Sequence, residues 1–444
     1  FQAEDGIRDV ERSRGLGDVY KRQVKHRAAV LRGRDLPFGE CELSHTLCIT
    51  SSKSGTTLET SLLTDYVLEQ FQERVGSVAV GGRCLAISDS GSALERLARR
   101  WEFLAILHGL PSVGGRFSAL SYFGLVPPLL CGCDVETLVD RAAKMALRCG
   151  ADVEADRNPG VKLGLALGTA ALMGRDKVTF ILSPAIARLG RWLEQLVAES
   201  TGKAGRGLLP IVDEEVGLPA SYGTDRLFVY LRLAEELDPE QEKSAERLAG
   251  AGLPVIDLTL SDRFDVGGEF FRWEVAVAVC GSVLGVHPFD QPDVEAGKRT
   301  TIDLAAAYES SGVWPERASI AAEVGLEAYA DPETAAGLRR SVGPEAGVQE
   351  LLLTHLGRLG PGDYFALLVY LEQSREYLDL LQQMRTAVRQ ARGVATTLGF
   401  GPSFLHSMGQ TFKGGRDNGV FLSLIHISEP TRPLYISYAV FCLK

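Results

Sequence analysis

The chain has no surplus of positive charge, no paired cysteines at zinc-binding spacing and no long unbroken apolar run. Each absence removes a class of function. With a formal net charge of −10 over 444 residues, it lacks the basic surface that general nucleic-acid binding needs. An anionic ligand would have to find its positive charge locally. The 8 cysteines are scattered without C-x-x-C pairs, and Cys131–Gly132–Cys133 is too tight for a zinc knuckle. Buried, reduced thiols in a cytoplasmic protein are expected instead. The most apolar stretch, Leu120–Cys133, is broken by Gly124, Pro127 and Pro128, so no membrane span is expected. Phe1 opens no secretory signal, because the residues after it have no apolar core.

What is present suits a large globular chain of two or three domains, 45% hydrophobic and 23% charged. Its most informative stretch is Ile49–Thr60, I-T-S-S-K-S-G-T-T-L-E-T. It follows the apolar Leu47–Cys48–Ile49, read as a buried strand. It precedes Leu58, Leu62, Leu63, Tyr66, Val67 and Leu68 at helical spacing. A hydroxyl-rich loop between a strand and a helix N-terminus suits a phosphate group, because unpaired N–H groups and the helix dipole both favour an anion there. Ser51, Ser52, Ser54, Thr56 and Thr57 add hydroxyl donors, and Gly55 allows close approach. The G-x-x-x-x-G-K-[ST] spacing of a nucleotide P-loop is missing, which leaves a small monophosphate. The competing reading is a helix cap, with Thr56 or Thr57 ahead of Glu59.

The remaining chain alternates strand-like and helical runs as parallel α/β units do. Strands are expected at Leu47–Ile49, Cys84–Ser88, Val178–Leu182, Leu227–Leu231 and Pro254–Leu258. Helices are expected at Leu58–Arg74, Ala93–Arg99, Val161–Met173, Leu189–Ser200, Pro239–Ala249 and Glu269–Leu284. From Ile302 to Leu398 the pattern reads as mainly helical, with helices at Leu351–Leu356, Tyr364–Leu371 and Tyr377–Leu398. The expected fold is α/β, with a first domain over 24–150, a second over 151–301 and a mainly helical region over 302–423. The ends, 1–23 and 424–444, are weakly patterned. Their wording, QAEDGIRDVERSRGLGDVYKRQ and LIHISEPTRPLYIS, resembles translated sequencing-adapter DNA, so both are read as non-native segments.

Several motifs share one resemblance. S-K-S-G-T-T-x-E-T resembles the phosphate-binding loop of the phosphoglucose isomerase (glucose-6-phosphate isomerase) family, whose two sugar-isomerase (SIS) domains are doubly wound parallel α/β folds. By that resemblance Ser52, Ser54 and Thr57 hold the sugar phosphate, with Thr56 beside them and Lys53 contributing mainly backbone. G-G-R-F-S-A-L-S, read alone, is a turn with a solvent-facing arginine; it resembles a second family signature that gives Arg116 the enediolate charge. Glu199 near a helix C-terminus would ordinarily be a solvated residue, although a carboxylate buried there would suit a base. Its E-S-T-G-K resembles the family's E-S-N-G-K, whose glutamate moves the proton between C1 and C2. Thr201 stands where asparagine is usual.

H-P-F-D-Q-P-D-V-E-A-G-K, a good helix cap in its own right, resembles the family segment in which Gln291 borders the phosphate and Lys298 reaches the ring or carbonyl oxygen. His287 occupies a slot often held by asparagine and reads as structural. G-P-S-F-L-H-S-M-G-Q-T-F-K-G-G is similar to a segment in the isomerase half of bacterial transaldolase–phosphoglucose isomerase fusions. Within it His406 is the candidate for ring opening or, equally, a buried structural histidine.

The resemblance thus implies a cofactor-free, metal-free aldose–ketose isomerase of glycolysis and gluconeogenesis. Its partner is a small sugar phosphate rather than nucleic acid or membrane, with homo-oligomerisation or covalent fusion to a transaldolase domain in the parent as further expectations. The family's G-M-G-G-S-S loop has no counterpart upstream of Ser52, so the chain as written is expected to be impaired. A different class, a SIS-type phosphosugar-binding regulatory module without turnover, would keep Ser52, Ser54 and Thr57 but not need Glu199, Arg116 and Lys298. A transaldolase alone is disfavoured, since no eightfold β/α alternation is seen.

Overall fold

The computed structural model describes residues 43–76, 80–313, 318–323 and 325–425. The N-terminal segment 1–23 and all but the first two residues of the C-terminal segment 424–444 lie outside the described residues. The chain divides into two compact units, one reaching Ala142 and including Glu372–Ser374, the other comprising Ala143–Leu371 and Arg375 onward.

The first unit runs β1 (Cys48–Ser51), α1 (Leu58–Val75), β2 (Cys84–Ser88), α2 (Ala93–Arg100), β3 (Ala105–His108) and α3 (Tyr122–Leu130), and the chain leaves it within α4 (Val135–Arg148). Its strands form a parallel sheet in the order β1-β2-β3. The middle strand, C-L-A-I-S, is buried at every residue, as a parallel strand covered on both faces must be. Leu68 and Phe71 of α1 and Leu94 and Ala98 of α2 pack with Cys84 and Ala86 to make the core. Helix α2 starts at Ser92, whose hydroxyl accepts the Glu95 N–H at 3.0 Å and so satisfies one of the unpaired amides of the first turn.

The second unit opens with α5 (Pro159–Leu172), β4 (Lys177–Leu182), α6 (Leu189–Thr201), β5 (Leu209–Ile211), β6 (Arg226–Leu233), α7 (Pro239–Gly250), β7 (Val255–Leu260), α8 (Val266–Leu284) and α9 (Pro292–Ser311). A short antiparallel pair, β8 (Ala321–Glu323) and β9 (Leu326–Ala328), precedes α10 (Pro332–Val342) and α11 (Val348–Gly357). Then follow β10 (Tyr364–Tyr370), α12 (Arg375–Arg392), β11 (Ala395–Phe400), α13 (Ser403–Ser407), α14 (Gly409–Gly414) and β12 (Gly419–Ile425). Two parallel sheets result, ordered β5-β4-β6-β7 and β11-β10-β12. In the larger sheet the strand order reverses about β4, which makes it doubly wound.

Helix α5 approaches α8 closely because its glycines are spaced every fourth residue. A Cβ at Gly160, Gly164 or Gly168 would lie 2.7 Å from Val275, 2.5 Å from the Ala276 carbonyl or 2.7 Å from Val283. One core is shared by both sheets, with Ala198 of α6, Leu209 and Ile211 of β5, Tyr364, Ala366 and Leu368 of β10, and Phe404 and Met408.

The region after Ile302 holds several helices, but Tyr364–Leu371, expected as a helix, is the central strand β10. Y-F-A-L-L-V-Y is a short, continuous apolar run, and periodicity alone does not separate a buried strand from a buried helix at that length. Likewise Tyr377–Leu398 is not one helix. α12 stops at Arg392, Gly393 turns the chain at φ +68°, and Ala395 onward enters β11. Glycine at that position ends a helix without a Cβ clash. β3 and β5, four and three residues long, were not anticipated. Pro210 is tolerated in β5 because that strand is at the sheet edge.

A buried charge network joins the two sheets of this unit. Arg226 Nη1 donates to Glu214 Oε2 at 3.1 Å and to Thr179 at 2.5 Å, while Thr396 Oγ1 donates to Glu214 Oε1 at 3.0 Å. Arg385 donates to the Val212 and Thr396 carbonyls at 3.2 and 2.6 Å. Burial disfavours the Glu214 carboxylate, but the Arg226, Arg385 and Arg389 guanidiniums outweigh it and hold the group below its ordinary range. A depressed carboxyl adds stability above its unfolded-state range, and that contribution is lost as pH falls. Glu214→Ala, which strands buried arginines, is expected to reduce unfolding free energy by about 3–5 kcal/mol. Urea denaturation measures this, and an unchanged midpoint would show that the network is not holding the sheets.

Candidate active site

In the first unit the hydroxyl-rich loop leaves β1 and enters α1. Three strand ends are tied by one side chain. The Lys53 ammonium donates to Asp89 Oδ1 and Oδ2 at 2.8 and 2.6 Å and to the Leu110 carbonyl at 2.7 Å, so it joins the segments following β1, β2 and β3. The main chain repeats the link, with the Asp89 N–H on the Lys53 carbonyl at 3.0 Å and the Ser52 N–H on the Ile87 carbonyl at 3.0 Å.

The hydroxyls inside this frame are ordered. Ser52 is buried, accepts the Gly55 N–H at 3.1 Å and lies 3.5 Å from the Thr57 hydroxyl. Ser54 and Thr56 hydroxyls share a 2.8 Å bond, and the Thr56 N–H donates to Ser54 at 3.2 Å. Thr57 sits at the N-cap position of α1 but its side chain makes no capping bond. The helix-cap alternative is therefore not built by Thr57. Gly55 is obligatory on two counts: φ is +69°, and a Cβ would lie 2.5 Å from the Leu94 nitrogen. Arg116, in a short helical turn at Gly115–Phe117, is 4% exposed, with its guanidinium 5.2 Å from the Phe117 ring centre. The solvent-facing alternative for this arginine does not hold.

In the second unit Glu199 ends α6 and is 8% exposed; Ser200 and Thr201 beside it are fully buried. The turn after it is tightly packed. A Cβ at Gly202 would meet Thr411 Oγ1 at 2.0 Å, and Gly207, at φ +126°, is pressed against Gly202. Thr411 Oγ1 donates to the Ala198 carbonyl at 2.8 Å and so occupies the last turn of α6.

Buried Lys203 reaches the next motif. Its ammonium donates to the His287 carbonyl, to the Asp290 carbonyl at 2.5 Å and to Asp290 Oδ1 at 2.8 Å. Burial opposes ionisation of Asp290, but the bond from Lys203, the charge of Lys203 and the nearby His287 together outweigh it, leaving the carboxyl below its ordinary range. His287 itself is exposed, with its ring 5.7 Å from that of Phe289. Gln291 occupies the N-cap of α9 without a side-chain capping bond, and Lys298 lies within the same helix. His406 is half-buried in α13, whose Ser407 donates to Glu194 of α6 at 2.7 Å.

The segments carrying Glu199, Gln291 with Lys298, and His406 are thus brought together within the second unit. Ser52, Lys53, Ser54, Thr56, Thr57 and Arg116 belong to the first. Sequence reasoning assigned nothing to Gln410, Thr411 or Lys203, although all three lie inside the motifs it quoted. Their partners are carbonyls and amides far along the chain, which residue type does not reveal.

The architecture is that of the sugar-isomerase α/β proteins. It superposes on a hypothetical protein of Thermus thermophilus with a TM-score of 0.55 at 25% identity, covering 60% of this chain and 73% of that one. With a glucose-6-phosphate isomerase of Chlamydia trachomatis the TM-score is 0.51 at 19% identity, covering 66% and 68%. No protein-family profile matches. In sequence the chain is 33% identical over 294 residues to a glucose-6-phosphate isomerase of Rubrobacter xylanophilus, covering 56% of this chain and 66% of the relative. It is 27% identical to a probable glucose-6-phosphate isomerase of Methanococcus maripaludis, covering 58% and 65%. In sequence the likeness is to proteins of the phosphoglucose isomerase family. The chain spans just under two thirds of the length of these two relatives. Among the described residues no helix is long and apolar enough to cross a membrane.

Gly55→Ala is expected to strain the loop by at least about 1 kcal/mol from the left-handed backbone alone, and more from the contact with the Leu94 backbone. The readout is the thermal midpoint; no change would mean that the loop relaxes freely.

Proposed function

We propose that the protein interconverts glucose 6-phosphate and fructose 6-phosphate through a cis-enediolate. The observation that carries this reading is the buried Glu199 at the end of α6, in the segment that matches the family's base. The likeness to proteins named glucose-6-phosphate isomerase favours an enzyme over a binding-only regulatory module.

Each residue's role follows the family likeness. Ser52, Ser54, Thr56 and Thr57 hold the phosphate through hydroxyls at a helix N-terminus, with Gln291 bordering it. Lys53, whose ammonium is engaged by Asp89 and the Leu110 carbonyl, contributes through the loop backbone it fixes. His406 and Lys298 assist ring opening. Glu199 then removes the proton from C2, the electron pair forms the C1–C2 double bond, and Arg116 stabilises the charge that develops on oxygen. The same carboxyl returns the proton to C1 while the O2 hydroxyl proton is transferred to O1, leaving the carbonyl at C2 and a hydroxyl at C1. One group thus serves as base and acid, and atoms and electrons balance without a co-reactant.

The likeness of Gly401–Gly415 to the fusion proteins' segment supports a parent that also carries a transaldolase, and the free thiols among the described residues fit a cytoplasmic setting. Glu199→Gln is expected to lower kcat by about 10²–10⁴-fold, while glucose 6-phosphate binding by calorimetry is retained. Arg116→Lys is expected to lower kcat by about 10²-fold. A wild type that binds the sugar phosphate without turnover would instead establish the regulatory module.

A further inference from the structure

Gln410 is completely buried and its amide bonds to two separate segments of the chain. Its Oε1 accepts the N–H groups of Asp293 and Val294 at 3.1 and 3.4 Å, in the first turn of α9. Its Nε2 donates to the Gly202 carbonyl at 3.0 Å, just beyond α6, and to Asp293 Oδ2 at 2.5 Å. Only one orientation of the amide satisfies this set, since the oxygen faces two donors and the nitrogen two acceptors. A helix N-terminus needs a cap. Here the N-cap residue Gln291 does not supply it; Gln410 does so from more than a hundred residues along the chain.

We infer that Gln410 is a positioning residue for the isomerisation, its amide setting the Glu199 turn against the helix that carries Gln291 and Lys298. The inference rests on the isomerase reading. Two further straps hold the Glu199 segment, one to the residues leading into α9 and one to the helix of Gln410 itself. Lys203 bridges from the Glu199 turn to Asp290, and Thr411, next to Gln410, donates to the Ala198 carbonyl. Of these, only the Gln410 side chain contacts the turn and the first amides of α9 together. A buried amide serving four partners tolerates no isosteric replacement. A carboxylate there would place oxygen against the Gly202 carbonyl and Asp293, and an apolar side chain would leave the amides of Asp293 and Val294 without their acceptor.

The test uses the full chain with fructose 6-phosphate in a coupled assay. Gln410→Glu and Gln410→Met are each expected to lower kcat by about 10²-fold, the scale of a displacement near 1 Å, with KM within threefold of wild type. The double variant Gln410→Glu with Asp293→Asn, which restores a donor to the pair, is expected to recover at least about tenfold of that loss. Amide exchange gives a readout independent of activity: the Asp293 and Val294 N–H groups should exchange slowly in the wild type and faster in either variant.

Folded variants with kcat within threefold of wild type would overturn the inference. So would losses that merely follow the folded fraction measured by thermal melting, or fast exchange of both amides in the wild type. An active wild type with active variants sinks this inference alone, whereas a wild type without turnover sinks the isomerase reading and this inference with it.

Discussion

A parallel α/β fold leaves polar main-chain groups at every helix end and at the loops beyond its strands, and when those ends are buried something must bond to them. In this protein side chains from distant loops do much of that work. Lys53 holds the segments after β1, β2 and β3 through Asp89 and the Leu110 carbonyl. Lys203 and Gln410 do the equivalent in the second unit, bonding to carbonyls at 287, 290 and 202 and to the first amides of α9. Arg385 bonds to the carbonyls of Val212 and Thr396 where the two sheets of that unit meet. The charges in these positions are paired or surrounded by acceptors, because an unpartnered buried ion costs several kcal/mol.

That constraint explains why the candidate site looks as it does. Lysines adjacent to the functional motifs, which residue type alone would assign to a phosphate, are consumed in structure. Conversely the hydroxyls of Ser52, Ser54, Thr56 and Thr57 are gathered into one small loop, where Gly55 accepts a conformation closed to other residues. Burial of Glu199 follows from the packing of Thr411 and Gly207 against the turn at Gly202.

Much of the architecture was legible along the chain. C-L-A-I-S and V-T-F-I-L read as buried strands and are strands; the glycine-rich run before β4 and the amphipathic run after it read as helices and are helices. The failures have specific causes. Y-F-A-L-L-V-Y is too short for its period to decide between helix and strand, and its place between β11 and β12 decides the matter. The strand A-T-T-L-G-F was merged with the preceding helix because the turn at Gly393 interrupts an otherwise continuous pattern. Edge strands such as L-P-I carry too little sequence to announce themselves.

Local chemistry and motif spacing, taken from the sequence by itself, determined the class of fold, the hydroxyl loop and the set of residues that the family likeness singles out. Only the tertiary structure decided that Lys53 is tied to Asp89, that Arg116 and Glu199 are buried, and that Gln410 caps a helix begun by a different motif. The reason is physical. Strand, helix and turn preferences act over a few neighbouring residues, whereas the partner of a buried amide or ammonium is chosen by which distant main-chain groups folding has left unsatisfied.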